Sequence, residues 1–243
     1  VDLFTRLIAD RRVSEDYAVP EERLSDRLRI VRIQCGGRKY IRKELLWPHL
    51  DEFVDGVIRY NTQRELTPDF VHGHYPDAGY VAQQVAQVFG IPFVYTGHSL
   101  GRSKLRRLLE EGLSEAEVER KYRITRRIQA EEDILAAADL VLASTSQEVE
   151  EQYAQYEQRR RPVYRVIPPG LDVAKFYPYT HDAVGDGARD EAAVFAQASV
   201  LRELERFLMH PDKPLVLTLC RPDKRKNIAG LLKAFGADRE LQS

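Results

Sequence analysis

Gly97-His98-Ser99-Leu100-Gly101 has the spacing of a G-x-S-x-G turn, in which a serine on a sharp strand-to-helix bend can act as an acyl-transfer nucleophile. Such a serine needs a carboxylate and a histidine further along, and only His181 and His210 follow it. The first falls in a stretch that reads as linker, the second just ahead of an expected strand. The residues after the turn point to other chemistry. Arg102, Lys104, Arg106 and Arg107 crowd the first turns of the next helix with positive charge. A helix N-terminus adds unpaired N–H groups and a partial positive charge of its own. With the Ser99 hydroxyl and the Lys104 ammonium, the expected result is an anion site suited to a phosphate. The competing reading makes Ser99 a helix cap and the cations a solvated face.

His72 and His74 form a His-x-His pair that invites a zinc reading, but no third ligand is signalled. The two imidazoles are expected to leave opposite sides of their strand, and no metal is expected. Cys35 and Cys220 stand far apart with neither zinc nor disulfide spacing, which fits a reducing, cytoplasmic setting. The 37 basic side chains are balanced by 38 acidic ones, so a nucleic-acid partner is not expected, although a local basic pocket remains open. No apolar run approaches the roughly 18 residues needed to cross a bilayer, and no membrane partner or secretory leader is expected.

Residues of this kind must be held by a frame. Strand-like runs recur at Leu28–Ile33, Phe70–His72, Pro92–Thr96, Leu140–Ala143, Val163–Ile167 and Leu215–Leu219, separated mostly by helical stretches, the alternation of parallel α/β layers. Capping boxes at Ser114–Glu117 and Thr145–Glu148 mark two helix starts. Val1–Thr5 reads as a strand already in progress, so the chain is expected to begin inside a domain. In an open parallel sheet, ligands gather beyond the carboxyl ends of the strands. His72-Gly73-His74-Tyr75, Gly97-His98-Ser99 and Arg221 fall there. After Ile167-Pro168-Pro169-Gly170, a stretch to about Asp190 lacks an apolar face and reads as linker. A helix near Glu191–Met209 and the run after Pro214 then open a second α/β unit.

Gly37-Arg38-Lys39-Tyr40-Ile41-Arg42-Lys43-Glu44-Leu45-Leu46-Trp47-Pro48, His72-Gly73-His74-Tyr75-Pro76-Asp77 and Thr96-Gly97-His98-Ser99-Leu100-Gly101-Arg102-Ser103-Lys104 together resemble the sucrose-phosphate synthase family. The similarity continues, in the same order, through Arg126-Arg127-Ile128-Gln129-Ala130-Glu131-Glu132, Ser144-Thr145-Ser146-Gln147-Glu148, Ile167-Pro168-Pro169-Gly170 and Arg221-Pro222-Asp223-Lys224-Arg225-Lys226-Asn227. An ordered series of this kind is far more specific than any one member.

The resemblance implies a GT-B fold, with a Rossmann-like acceptor domain over residues 1–170, a connection over 171–213 and the start of a nucleotide-sugar donor domain over 214–243. It implies a retaining transfer of glucose from UDP-glucose to fructose 6-phosphate, with no tightly bound cofactor. Lys43, Tyr75, Ser99, Lys104, Arg126 and Arg127 would meet the acceptor, with either arginine free to be the one pointing inward. His98 would approach the reacting sugar as the catalytic group. Arg221 and Lys226 would neutralise the donor diphosphate, on which charge grows as it leaves. The family's glycine-rich loop after the first strand and its paired glutamates in the donor domain have no counterpart in these residues, so the chain alone is expected to lack activity. Rival readings are sucrose synthase, mannosylfructose-phosphate synthase and a noncatalytic sugar-phosphate module.

Overall fold

The computed structural model describes residues 1–173, 191–210, 213, 215–223 and 226–240. They divide into two units, Val1–Leu171 and Asp172–Ser243. In the first, β1 (Asp2–Arg6), β2 (Glu21–Ser25) and β3 (Leu28–Ile33) form a three-stranded sheet in the order β1-β3-β2, parallel between β1 and β3 and antiparallel between β2 and β3. β2 was not expected. Its residues, Glu-Glu-Arg-Leu-Ser, are mostly charged and do not alternate, as suits a sheet edge, where charge discourages further pairing.

The frame of the site is a second sheet of four parallel strands in sequence order, β4 (Val71–His74), β5 (Phe93–Thr96), β6 (Leu140–Ala143) and β7 (Val163–Val166). These lie within one or two residues of the runs expected from sequence. Helix α1 (Leu50–Gln63) precedes β4, α2 (Tyr75–Phe89) joins β4 to β5, and α3 (Gly101–Glu110), α4 (Glu115–Tyr122) and α5 (Ile124–Ala137) lie between β5 and β6. Phe93, Tyr95, Val141 and Ala143 point into a core closed by Ala82, Ala86, Ile134 and Leu135 from α2 and α5. On a pleated strand residues two apart share a face, which explains the Phe93/Tyr95 and Val141/Ala143 pairs.

Two glycines let α2 lie close to this sheet. A Cβ on Gly73 would meet the Ala78 carbonyl at 2.8 Å, and one on Gly79 would meet the Tyr95 ring at 2.8 Å. Helix α2 ends at Gly90 in the left-handed region, φ 64°, where glycine carries little penalty. The capping box at α4 forms as expected, Ser114 accepting the Glu117 N–H while Glu117 accepts that of Ser114. The second box is offset. Glu148 donates its N–H to Thr145 Oγ1, but its carboxylate reaches the Ser144 N–H rather than that of Thr145.

The second unit contains α6 (Glu191–Glu205) and α7 (Ile228–Ala237). The strand expected at Leu215–Leu219 does not form; the segment is exposed, with Leu219 94% accessible. A strand needs a neighbour for its N–H and C=O groups, and this one has none among the described residues. The linker reading for 174–190, with His181, lies outside the described residues, as do Pro214, Lys224 and Arg225.

Candidate functional site

The carboxyl end of β4 runs directly into α2, and Tyr75, the first residue of that helix, has φ 74°. The carboxyl end of β5 runs into a turn in which His98 has φ 56° and the Ser99 N–H bonds the Gly97 carbonyl at 2.6 Å. Left-handed backbone costs non-glycine residues about 1–3 kcal/mol, persists only where surroundings enforce it, and clusters at functional sites. Here the Gly97 N–H is taken by the Tyr153 hydroxyl at 3.0 Å. In a nucleophile elbow the serine itself carries the strain. The strained residue here is His98, and Ser99 lies two positions ahead of the first helical residue, Gly101.

Of the residues named from sequence, Lys43 and Arg127 meet at Tyr75, and Arg127 links them to the Ser99 carbonyl. The Tyr75 hydroxyl receives Lys43 Nζ at 3.0 Å and Arg127 Nη1 at 2.7 Å, and both cations also lie over its ring. Arg127 Nη2 donates to the Ser99 carbonyl, and Nε donates to Glu131 at 3.0 Å. Arg127 is buried and points inward, whereas Arg126 is exposed and lies over the Trp47 ring at 5.4 Å. Lys104 sits 3.8 Å from the Tyr122 ring centroid. Burial, together with the charges of Arg127 and Lys43, holds its ammonium down to about 8. Cations packed closely enough to depress one another make a place where an anion is favoured.

Sequence reasoning missed several members of this site. Asp77, in the first turn of α2, has its carboxyl pushed up to about 6 by burial, against the opposing pull of Arg127 and Lys43. Glu131, fully buried, accepts from Gly101 N at 2.8 Å, from Arg127 and from the Tyr156 hydroxyl; that hydroxyl in turn lies 3.1 Å from the Arg102 N–H. Burial pushes the Glu131 carboxyl up as well. The first two amides of α3 are therefore satisfied internally. Neither of these two N–H groups is free for the anion contact expected at that helix terminus. Asp77 and Glu131 both lie inside motifs already singled out, but nothing in their spacing marks them as buried.

The histidines depart from expectation. His72 and His74, two apart on β4, share a face, and their ring centroids are 4.0 Å apart. His74 Nδ1 lies 2.9 Å from His98 Nε2. Among the described residues, no group of three or more His, Cys, Asp or Glu side chains is placed to hold a metal ion. A cavity of about 330 Å³ lies along α5, lined by Arg102, Leu105, Ile128, Glu132 and Gln158 among others; none of the expected site residues lines it. Arg221 and Lys226 belong to the second unit. Both are exposed, Arg221 with a guanidinium nitrogen 3.8 Å from Asp223 and Lys226 with its N–H on the Asp223 carbonyl at 3.0 Å.

With parallel strands, positive-φ turns at their carboxyl ends and a cation cluster in place, the chain belongs to the glycosyl transferase 4-like domain family, whose model matches residues 1–170. The α/β architecture is of the Rossmann-like, GT-B type. Within that class the chain is similar to sucrose-phosphate synthases. It is 38% identical to the Zea mays sucrose-phosphate synthase and 37% identical to the probable sucrose-phosphate synthase 2 of Arabidopsis thaliana, in both cases over 100% of this chain. A solved sucrose-phosphate synthase from Thermosynechococcus elongatus superposes with a TM-score of 0.67 at 26% identity, covering 98% of this chain and 50% of that one. The chain spans only 28% and 27% of the length of the two plant relatives. No helix among the described residues is long and apolar enough to cross a membrane.

Proposed function

We propose that the protein carrying this chain is a sucrose-phosphate synthase, transferring glucose from UDP-glucose to fructose 6-phosphate with retention of anomeric configuration to give sucrose 6-phosphate. The observation that carries this reading is the convergence of Lys43 and Arg127 on the Tyr75 hydroxyl, with the depressed Lys104 ammonium beside them. Glu131 already pairs with Arg127 Nε, but the Lys43 and Lys104 ammoniums and the Arg127 Nη groups still make a cationic cluster, to which a sugar phosphate brings an anion that a free hexose lacks, through charge-assisted hydrogen bonds stronger than neutral ones. Arg126, stacked on Trp47, serves from the rim. Ser99 contributes a hydroxyl, and His98 is the catalytic group nearest the transferred glucosyl unit.

In this reading residues 1–170 are the acceptor domain, 171–213 the connection and 214–243 the start of the donor domain. There Arg221 and Lys226 offset the charge that builds on UDP as the glucosidic bond breaks. No tightly bound cofactor is required, the partners are the two small substrates, and the unpaired Cys35 and Cys220 suit a cytoplasmic setting.

The test is a donor and acceptor panel on the complete protein, pairing UDP-glucose and GDP-mannose with fructose 6-phosphate and fructose and recording nucleotide release and product anomer. UDP-glucose with fructose 6-phosphate should be the preferred pair. Preference for free fructose would point to a sucrose synthase, preference for GDP-mannose to a mannosylfructose-phosphate synthase, and binding without turnover to a noncatalytic module; any of the three overturns the proposal.

A further inference from the structure

Beside the cation cluster, the carboxyl ends of β4 and β5 hold a row of side chains that acceptor binding leaves unused. His72 Nε2 lies 2.9 Å from Thr96 Oγ1. The His72 and His74 rings are 4.0 Å apart, and the His74 and His98 rings are 5.1 Å apart and within 19° of parallel. His74 Nδ1 meets His98 Nε2 at 2.9 Å.

Two imidazole nitrogens at hydrogen-bond distance need one hydrogen and one lone pair between them, so the contact has a direction. Burial and neighbouring imidazoles hold His72 down to about 4 and lower His74, which keeps both neutral near neutral pH. Neutral imidazole intrinsically favours its hydrogen on Nε2. If His98 Nε2–H donates to His74 Nδ1, both rings carry that favoured form. The opposite direction requires the less favoured Nδ1–H form in both rings at once.

We propose that His74 is a positioning residue: by accepting from His98 Nε2–H, it locks His98 in the tautomer whose Nδ1 keeps its lone pair, free to accept from a hydroxyl of the transferred hexose. The part concerning the hexose rests on the role given to His98 above; the tautomer does not. The strained backbone of His98 agrees with a ring held from behind. The Tyr153 hydroxyl fixes Gly97 on one side of that residue, and His74 fixes the ring on the other.

The test uses the complete protein labelled with ¹⁵N-histidine, the His98 resonances being assigned by their loss in His98→Asn. Wild type should show a hydrogen on His98 Nε2 and none on Nδ1. His74→Phe keeps a ring but removes the acceptor; His98 should become a mixture of tautomers, and kcat for glucosyl transfer should fall by about 10-fold, the worth of one ordinary hydrogen bond. His74→Asn places a carbonyl oxygen near the position of Nδ1, and should restore the wild-type spectrum and hold kcat within about 3-fold. A hydrogen on His98 Nδ1 in wild type, or an unchanged His98 spectrum in His74→Phe, overturns the proposal. So does equal loss of kcat in both variants. Absence of glucosyl transfer in wild type would instead overturn the functional reading, with the nitrogen spectra still deciding the tautomer.

Discussion

The buried carboxylate of Glu131 accepts the backbone N–H of Gly101 at 2.8 Å, so the first amide of α3 is closed from within the protein. The same carboxylate holds Arg127 Nε, which turns the two Nη groups of that arginine toward Tyr75 and Ser99. One buried acid thus fixes both the helix start and the direction of the central cation.

Glu131→Ala leaves Arg127 buried without its counter-charge, and should destabilise the fold by about 3–5 kcal/mol. Glu131→Gln also removes the counter-charge but keeps an acceptor for Gly101, and should fall at the lower end of that range, about 3 kcal/mol. Urea unfolding measures both. An alanine variant within about 0.5 kcal/mol of wild type, the range of ordinary surface substitutions, would show that the pair is not structural.

For the acceptor side, Lys104→Ala should weaken use of fructose 6-phosphate by about 10- to 150-fold, with a much smaller effect on UDP-glucose. The ammonium titrates at about 8 and a phosphate needs it charged, so the wild-type KM for fructose 6-phosphate should rise as pH climbs through that value. The rise attributable to this group should be missing from the variant. Ser99→Ala should be milder and leave measurable turnover. Steady-state kinetics against pH decides, and equal loss for both substrates rejects a selective acceptor role.

Asp77 gives a prediction about stability. Its carboxyl is raised from 3.8 to about 6 in the folded protein, so between those values the native state binds more protons than the unfolded one, and stability falls as pH rises through the window. Asp77→Asn removes that dependence. Relative to wild type, the variant should gain on the order of 1–3 kcal/mol between about pH 4 and pH 7. Thermal unfolding at both pH values reads the difference, and a constant offset would mean the carboxyl is not perturbed.

On the donor side, Arg221→Ala and Lys226→Ala should each lower kcat by on the order of 10²–10³ in the complete protein, with a smaller change in donor KM, because charge on the leaving diphosphate peaks in the transition state. UDP-glucose is varied at saturating fructose 6-phosphate. If the turn is only a solvated basic loop, kcat stays within about 2-fold.

The parts of this protein that follow local rules were readable in advance. Leu28–Ile33 and Leu140–Ala143 became strands with the expected bounds, and the Ser114 box capped its helix, because periodicity and capping depend on near neighbours. Lys43, Tyr75, Ser99 and Arg127 were legible as a group through the order of their motifs, although spacing could not say which of two adjacent arginines turns inward. Leu215–Leu219 had strand composition but no partner strand among the described residues. Glu131 stands four residues after Arg127, the spacing of an ordinary exposed pair on a helix face. Its burial comes from Tyr156 and the α3 terminus, which are distant in sequence.

The two tyrosines beyond β6 also set an order of events. Tyr153 holds the Gly97 amide and Tyr156 the Arg102 amide, 56 and 54 residues back along the chain. A polypeptide emerging from the ribosome can pair β4 with β5 and wind α2 while those hydroxyls are still unmade. The bend bearing His98 and Ser99 then lacks the partners that hold it. The bend is therefore held only once Tyr153 and Tyr156 have been made, later than the β4–β5 pair that carries it, and a nascent chain ending short of Tyr153 would carry the motif without its geometry.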